Sequence, residues 1–317
     1  MLVVQPNASY TTPHNPGIVF VVDHQPHVSG MEGCNTIVQT VQDHQYDVEH
    51  VYMDHYLHWQ DFPYPYTCVP HCFLKYCRYF LEHAQQGVCT DDQRCFVMMN
   101  KRREHRLLVS AWFSHNRTID FDYSQGWTPE HSDTLAVQEY TRLTSYQLDS
   151  FLEERFLPYQ NTVSSNEDQS GYLAAQEVDI WNTVLRPKFC TSTFSVVTEP
   201  PYWENGCMIT EKYLMTLYGC CFPIFCGGGL ALADQLKQIG FDVFDDIVDH
   251  SYQYVADPAQ RVLDALECNR ELLLGNSVRK VDYMDRHHSN LRLVREHLDR
   301  FKQQFADSQF DKYRSSL

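Results

Sequence analysis

Residues 209–229 read ITEKYLMTLYGCCFPIFCGGG and combine a helix start, a buried strand and a glycine-rich turn. Thr210 is a residue type that caps helices, and it is followed by a carboxylate, Glu211, and a cation, Lys212, in the first helical turn. The apolar run after Gly219 predicts a buried strand, and the three glycines predict a tight turn into another helix. The helix start offers free N–H groups and a positive dipole end, which suit a phosphate, or it is only a capping arrangement.

The same alternation of strands and helices continues on both sides of this stretch. Strands are predicted at 17–22, 95–99, 118–123, 193–197 and 222–226, and helices at 34–42, 72–85, 103–113, 146–156, 211 onward and 230–239, with further helices to the C-terminus. Such alternation requires crossover connections and gives a mostly parallel sheet. Ligands bind at the carboxyl ends of the strands in these sheets. We therefore expect Asn100, Glu199 and Gly227, which follow predicted strands, to face one crevice.

Composition limits the classes of partner. The 317 residues include 25 lysines and arginines against 41 aspartates and glutamates, a formal net charge of −16, so long-range attraction to nucleic acid or an anionic membrane is not expected. No apolar run reaches the roughly 18 residues of a membrane span. Twelve cysteines without a secretory leader predict reduced thiols in a cytosol. We expect a globular cytoplasmic protein.

A basic cluster begins the helix that follows the strand ending at Asn100. It consists of Arg102, Arg103, His105 and Arg106. Cations at a helix N-terminus oppose the dipole, at a cost of a few tenths of a kcal/mol each, and a bound anion offsets that cost. The cluster therefore indicates either a phosphate site or the solvated first turn of an ordinary helix.

Two groups of residues raise the question of a metal. Asp120 and Asp122 resemble the Asp-x-Asp pairs that hold divalent cations in some nucleotide-sugar enzymes, and a strand would place both carboxylates on one face. A second group carries thiols and imidazoles, which zinc accepts: Cys68, His71, Cys72 and Cys77. The spacing of the second group matches no standard zinc site, and buried cysteines are ordinary core residues. We predict no metal. The histidines between His44 and His58 include candidates for a general base, but position alone selects none.

Several blocks in the second half of the chain have the order found in a known family. The first comprises Cys95 to Asn100, Arg106 and Ile119 to Gly126; the next comprises Val197-Thr198-Glu199, Asn205, Thr210-Glu211-Lys212 and Phe222-Pro223-Ile224; the last comprises Gly240-Phe241, Phe244-Asp245 and Asp249 to Tyr252. These blocks, over residues 91–275, resemble the α-1,3-fucosyltransferases and the fucosyltransferase-like proteins of phage and bacterial type. Before residue 90 and at Gly227 to Gly229 the resemblance ends.

The resemblance implies an α/β fold of the GT-B type, in which two Rossmann-like domains face a cleft, with a C-terminal helical extension. Residues 1–88 would form the acceptor-side domain, residues 89–275 the domain that binds the nucleotide sugar, and residues 276–317 the extension. The apolar stripe on the last helix would pack within the chain or against a second copy in a homo-oligomer.

The resemblance also implies a function. A member of this family transfers a sugar, of hexosyl or fucosyl type, from a nucleotide-diphosphate sugar to a glycan or other acceptor without a metal or other cofactor, and a GDP-sugar is favoured. Arg106 and Lys212 would neutralise the diphosphate, and Glu199 and Glu211 would hold hydroxyls of the sugar or ribose. The other donor-site residues implied are Asn100, Asn205 and Thr210. The catalytic base would come from the first domain.

Two other classes of function remain open at this point. The chain can be a non-catalytic binding or virion-associated protein that retains the fold, in the host cytoplasm if it is viral. A DNA-modifying sugar transferase is disfavoured by the net charge of −16.

Overall fold

The computed structural model describes an α/β chain with two four-stranded sheets and several helices. The described residues are 2–4, 18–21, 39, 42, 50–53, 56–57, 66–68, 71–99, 103–126, 134–145, 152, 178–199, 206–207, 209–275 and 277–304. The predicted helices at 34–42 and 146–156 lie almost wholly outside them.

The first sheet is parallel throughout and is built from the N-terminal part of the chain. Its strands are β1 (Leu2–Val4), β2 (Ile18–Val21), β3 (His50–Met53) and β5 (Tyr66–Cys68), adjacent in the order β1-β2-β3-β5. The strand predicted at 17–22 is confirmed as β2. Between β3 and β5, the short strand β4 (Tyr56–Leu57) pairs antiparallel with β9 (Gly206–Cys207). This pair joins distant parts of the chain.

The second sheet is also parallel throughout. Its strands are β6 (Gln93–Met99), β7 (Phe121–Gln125), β8 (Ser192–Val197) and β10 (Phe222–Phe225), adjacent in the order β10-β8-β6-β7. The strands predicted at 95–99, 193–197 and 222–226 are confirmed. The strand predicted at 118–123 begins later, at Phe121. A mostly parallel sheet is therefore confirmed, as expected for an α/β protein of the Rossmann-like class.

Helices alternate with these strands along the chain. They are α1 (His71–His83), α2 (Glu104–His115), α3 (Thr134–Thr144), α4 (Arg186–Thr191), α5 (Glu211–Tyr218), α6 (Leu232–Gln238), α7 (Pro258–Cys268), α8 (Arg270–Leu274) and α9 (Met284–Gln304). A π-helical turn, Trp181–Leu185, precedes α4, and single 3₁₀ turns occupy Ser251–Tyr254 and Lys280–Tyr283. No helix in the described residues has the length and apolar character needed to cross a bilayer.

The second sheet is covered on both faces, and strand β6 shows the alternation. Phe96 and Met98 belong to one hydrophobic core, whereas Cys95, Val97 and Met99 belong to another on the opposite face. Residues from α1, α5, α6 and α9 pack in the first core, and residues from α2 and α7 pack in the second. A parallel sheet covered by helices on both faces has nearly continuous apolar strands, and six of the seven residues of β6 are buried.

The connections on either side of β6 and β8 run over opposite faces. Helix α2, which leads from β6 to β7, packs Leu108 and Trp112 in one core, and α5, which leads from β8 to β10, packs Leu214 in the other. The chain therefore moves to β7 on one side of β6 and to β8 on the other. This change of direction between two adjacent parallel strands creates a crevice at their carboxyl ends, where ligands bind in such sheets.

The apolar stripe on the last helix packs within the chain where the structure describes it. Val294 is fully buried and belongs to the same core as Phe73 and Phe80 of α1, and Leu291 packs against that core. Helices α1 and α9 thus cover the face of the second sheet that also carries α5.

The turn after β10 depends on glycine. Gly227, Gly228 and Gly229 have φ angles of 148°, 83° and 92°, which L-residues rarely adopt. A Cβ atom on Gly227 would lie 2.4 Å from the carbonyl oxygen of Glu199. The glycine turn therefore lies directly against the end of β8, as the sequence predicted for Glu199 and Gly227.

Replacement of Gly227 by alanine tests this close approach. We expect Gly227→Ala to lower the free energy of unfolding by about 3 kcal/mol or more. The backbone at Glu199 would have to move away from the new Cβ atom, and alanine disfavours the φ angle of residue 227. Gly240→Ala is the matched control: φ is 99° there, but the nearest atom to a Cβ would be 3.7 Å away. The control should cost only about 1 kcal/mol. Urea unfolding of both variants measures the difference, and equal losses would contradict the packing described.

Candidate functional site

At the crevice between β6 and β8, Arg106 in the first turn of α2 contacts the residue that follows β8. Arg106 is 2% exposed, and its Nη2 donates to the carbonyl oxygen of Thr198 at 3.0 Å. The hydroxyl of Thr198 in turn donates to the carbonyl oxygen of Met98 at 2.6 Å. Burial, and then the charge of Arg103, lowers the pKa of Arg106 to about 10, against the opposing effect of two nearby glutamates. Arg106 therefore remains a buried cation at neutral pH.

Glu199 follows β8 and lies at the N-terminus of α5. Its carboxylate accepts a hydrogen bond from the backbone N–H of Thr210 at 2.9 Å and another from the Thr210 hydroxyl. Thr210 is the N-cap residue of α5, and its side chain accepts from the backbone N–H of Lys212, which confirms the predicted cap. The Glu199 side chain is fully buried. Burial raises the pKa of Glu199, while the charge of Lys212 and the two hydrogen bonds act in the opposite direction.

Glu211 and Lys212 form an ion pair in the first turn of α5. The distance between Lys212 Nζ and Glu211 Oε1 is 2.6 Å, and the two side chains are 9% and 13% exposed. Lys212 Nζ also lies 3.4 Å from the Thr210 hydroxyl oxygen. Burial alone would raise the pKa of Glu211, but the charge of Lys212 and its hydrogen bond lower it below its ordinary value. The Glu211 carboxylate is therefore ionised at neutral pH.

The N-terminus of α2 adds a second helix end to the crevice. Its N-cap residue is Arg103, and no side chain among the described residues caps it. Burial lowers the pKa of His105 well below its ordinary value, and the charges of Arg106, Arg103 and Lys212 lower it further. His105 is thus neutral. Three cations, Arg103, Arg106 and Lys212, then stand near the uncapped N–H groups of a helix start, which is an arrangement that attracts anions.

The structure brings together five of the seven residues implied by the sequence: Arg106, Glu199, Thr210, Glu211 and Lys212. The other two, Asn100 and Asn205, lie outside the described residues. Sequence reasoning missed Thr198, whose carbonyl oxygen holds Arg106. Its position between the end of a strand and Glu199 was the only signal.

The two carboxylates of the Asp-x-Asp pair have different surroundings. Asp120 precedes β7 and is exposed, whereas Asp122 is 4% exposed and is paired with Lys188. Of the two, only Asp122 lies within the strand, because β7 starts at Phe121. In the cysteine group, Cys77 is a core residue with no exposed surface. Among the described residues, no three of the histidine, cysteine, aspartate and glutamate side chains gather as a metal site.

Comparisons of the chain with protein-family models, with curated proteins and with solved structures gave no match. The chemistry of the crevice therefore has to be judged from its own groups. Buried cations beside a helix N-terminus suit a phosphate or diphosphate, and carboxylates in the same place accept hydrogen bonds from hydroxyl groups. The combination suits a ligand that carries both.

One single and one double variant test whether Glu211 and Lys212 depend on each other. We expect Lys212→Met to lower the free energy of unfolding by about 3 kcal/mol, because it leaves the Glu211 carboxylate buried without its cation. Addition of Glu211→Gln should restore most of that loss. Urea unfolding at pH 7 measures both. A loss that is the same in the single and the double variant would contradict the pairing.

Proposed function

We propose that this chain is a glycosyltransferase that transfers a sugar from a nucleotide-diphosphate sugar without a metal cofactor. One observation carries the proposal. Arg106, Lys212, Glu199 and Glu211 meet where the N-termini of α2 and α5 flank the carboxyl ends of β6 and β8. That is the crevice in which parallel α/β sheets bind nucleotides. The order of sequence blocks over residues 91–275 led to the same four residues.

The diphosphate would bind at the start of α2. The uncapped N–H groups of that helix, together with Arg103 and Arg106, supply hydrogen bonds and positive charge. Lys212, from α5, adds a third cation. When the sugar leaves, negative charge grows on the diphosphate, and contacts that strengthen with this charge lower the barrier. These side chains can thus stabilise the leaving group in the way that a divalent cation does in other transferases.

The two glutamates have different parts in this proposal. Glu199 is fully buried and already bonded to Thr210, so it positions the start of α5. Glu211 is partly exposed and accepts hydrogen bonds from hydroxyls of the sugar or ribose. A GDP-sugar remains the favoured donor, and the acceptor, a glycan or another hydroxyl compound, would approach with a base from outside this cluster.

A second candidate is a non-catalytic binding or virion-associated protein that keeps the fold. The close pairing of Lys212 with Glu211 at 2.6 Å favours it, because a cation already neutralised needs no ligand. The two functions differ in whether a nucleotide binds and whether a sugar is released.

Thermal unfolding with nucleotides tests the proposal. GDP, UDP, CMP, TDP and ADP would each be added alone and with magnesium or manganese. We expect one diphosphate, GDP first, to raise the melting temperature without metal, since a ligand at about 100 times its dissociation constant adds roughly 2.7 kcal/mol of stability. Release of that nucleotide from its sugar donor, with glycan acceptors present, then separates a transferase from a binding protein.

Variants locate the binding site. The double variant Glu211→Gln/Lys212→Met should weaken nucleotide binding by about 1.5 to 3 kcal/mol, because a charge-assisted contact is lost without an unpaired charge being created. Arg117→Ala is the matched control, because Arg117 is exposed and lies beyond the C-terminal end of α2. It should bind as the unaltered protein does. No shift with any nucleotide at millimolar concentration would overturn the proposal and favour the binding protein.

A further inference from the structure

A cluster of thiols lies at the amino ends of the strands of the second sheet, at the opposite end from the crevice. Cys89, Cys190 and Cys220 each come shortly before a strand of that sheet, β6, β8 and β10 respectively, and all three are free thiols. Parallel strands all begin at the same end of their sheet, so the three residues lie together there. The backbone N–H of Thr90 donates to the carbonyl oxygen of Cys190 at 2.8 Å, which places the Cys89 and Cys190 segments side by side.

The three thiols lie on neighbouring segments. The sulfur of Cys190 lies against Gly87, two residues before Cys89. The Sγ of Cys89 is 3.9 Å from the carbonyl oxygen of Gly87 and 3.6 Å from that of Gly219, the residue before Cys220. Cys89 therefore adjoins the segments that carry both other thiols.

A buried lysine stands beside this cluster. Lys280 has no exposed surface, and its Nζ donates to the carbonyl oxygens of Phe189 and Gly219 at 2.9 and 2.8 Å. Its Nζ is also 4.0 Å from the sulfur of Cys221. Among the described residues, no carboxylate lies within 4.0 Å of this ammonium group. A lysine near a cysteine favours the thiolate form of that cysteine, and the charge of Lys280 acts on Cys89 in this direction.

Protonation and exposure single out Cys89. The neighbouring thiols of Cys190 and then Cys220, together with the charge of Lys280, lower the pKa of Cys89 despite its burial. The pKa values of Cys190 and Cys220 are raised by the same contacts. Cys89 is partly exposed beside Val88, which is 87% exposed, whereas Cys190 and Cys220 are each 3% exposed. Within this cluster, the sulfur that a solute can reach is thus also the one with the lowered pKa.

We propose that Cys89 and Cys190 are a redox-active pair, in which a hydroperoxide oxidises Cys89 and Cys190 then closes a disulfide. The partner is Cys190 rather than Cys220, because the Cys190 sulfur packs directly against the segment that carries Cys89. A Cβ atom on Gly87, two residues before Cys89, would lie only 2.5 Å from that sulfur. Cys220 contributes to the lowered pKa of Cys89 and is not the disulfide partner.

The chemistry balances in two steps. The Cys89 thiolate attacks one oxygen of the hydroperoxide, the O–O bond breaks, and Cys89 becomes a sulfenic acid while the second oxygen leaves as hydroxide or alkoxide and is protonated. The sulfur of Cys190 then attacks the sulfur of Cys89. The S–O bond breaks, and the departing hydroxide takes the proton of the Cys190 thiol to form water. Two thiols are oxidised by two electrons, and one hydroperoxide is reduced.

Alkylation of the reduced full-length protein tests the thiolate without any variant. At pH 6, we expect iodoacetamide to label Cys89 at least about ten times faster than Cys268, because Cys268 is exposed but has a raised pKa. Peptide mass mapping measures both rates. Labelling of Cys268 as fast as Cys89 would overturn the proposal.

Treatment with one equivalent of hydrogen peroxide tests the partner. We expect a linked Cys89–Cys190 peptide in the unaltered protein and in Cys220→Ser. In Cys190→Ser we expect a sulfenic acid at Cys89 that dimedone traps. Cys268→Ser is the control and should form the same linked peptide as the unaltered protein. A peptide that links Cys89 to Cys220, or no oxidation of Cys89, would overturn the pairing.

Discussion

The second sheet has to be buried on both faces, and the other features of the described chain depend on this constraint. All four strands are parallel, so each needs a crossover, and the crossovers must cover both faces. Helix α2 covers one face and α5 the other. Because the two helices leave adjacent strands in opposite directions, their N-termini remain at the crevice between β6 and β8. Polar side chains in those first turns therefore converge although they are about a hundred residues apart.

The charges in the crevice are unusual for a structural cluster. Arg106, Glu199 and Lys212 are 2%, 0% and 7% exposed. The removal of such groups from water costs several kcal/mol per ion, and apolar residues of similar volume often stabilise a protein as well as a buried ion pair does. Stability alone is therefore a weak reason for such a cluster. A ligand that needs both positive charge and acceptors is a better one, and the proposed nucleotide sugar has this chemistry.

Local signals explain what the sequence could predict. Thr210 begins α5 because a cap and a first turn are encoded within three residues, and Glu199 meets Gly227 because both follow parallel strands. Distant pairs were not predictable: Arg106 binds the carbonyl of Thr198, and Asp122 is paired with Lys188. Periodicity shows which residues form strands but not which strands are adjacent, and each of these distant contacts depends on the order of the strands. Lys280 is the clearest case, because only the folded sheet brings it next to the thiols.

Helix α5 links the two polar clusters physically. It has eight residues and therefore extends about 12 Å. At its N-terminus the Glu199 carboxylate accepts from Thr210, and at its C-terminal end the Lys280 ammonium donates to the carbonyl of Gly219. Both charges have the sign that the helix dipole favours. Helix α5 thus has a carboxylate of the crevice at its N-terminus and the lysine beside the thiols at its C-terminal end. The proposed ligand site and the proposed thiol pair therefore share one rigid element.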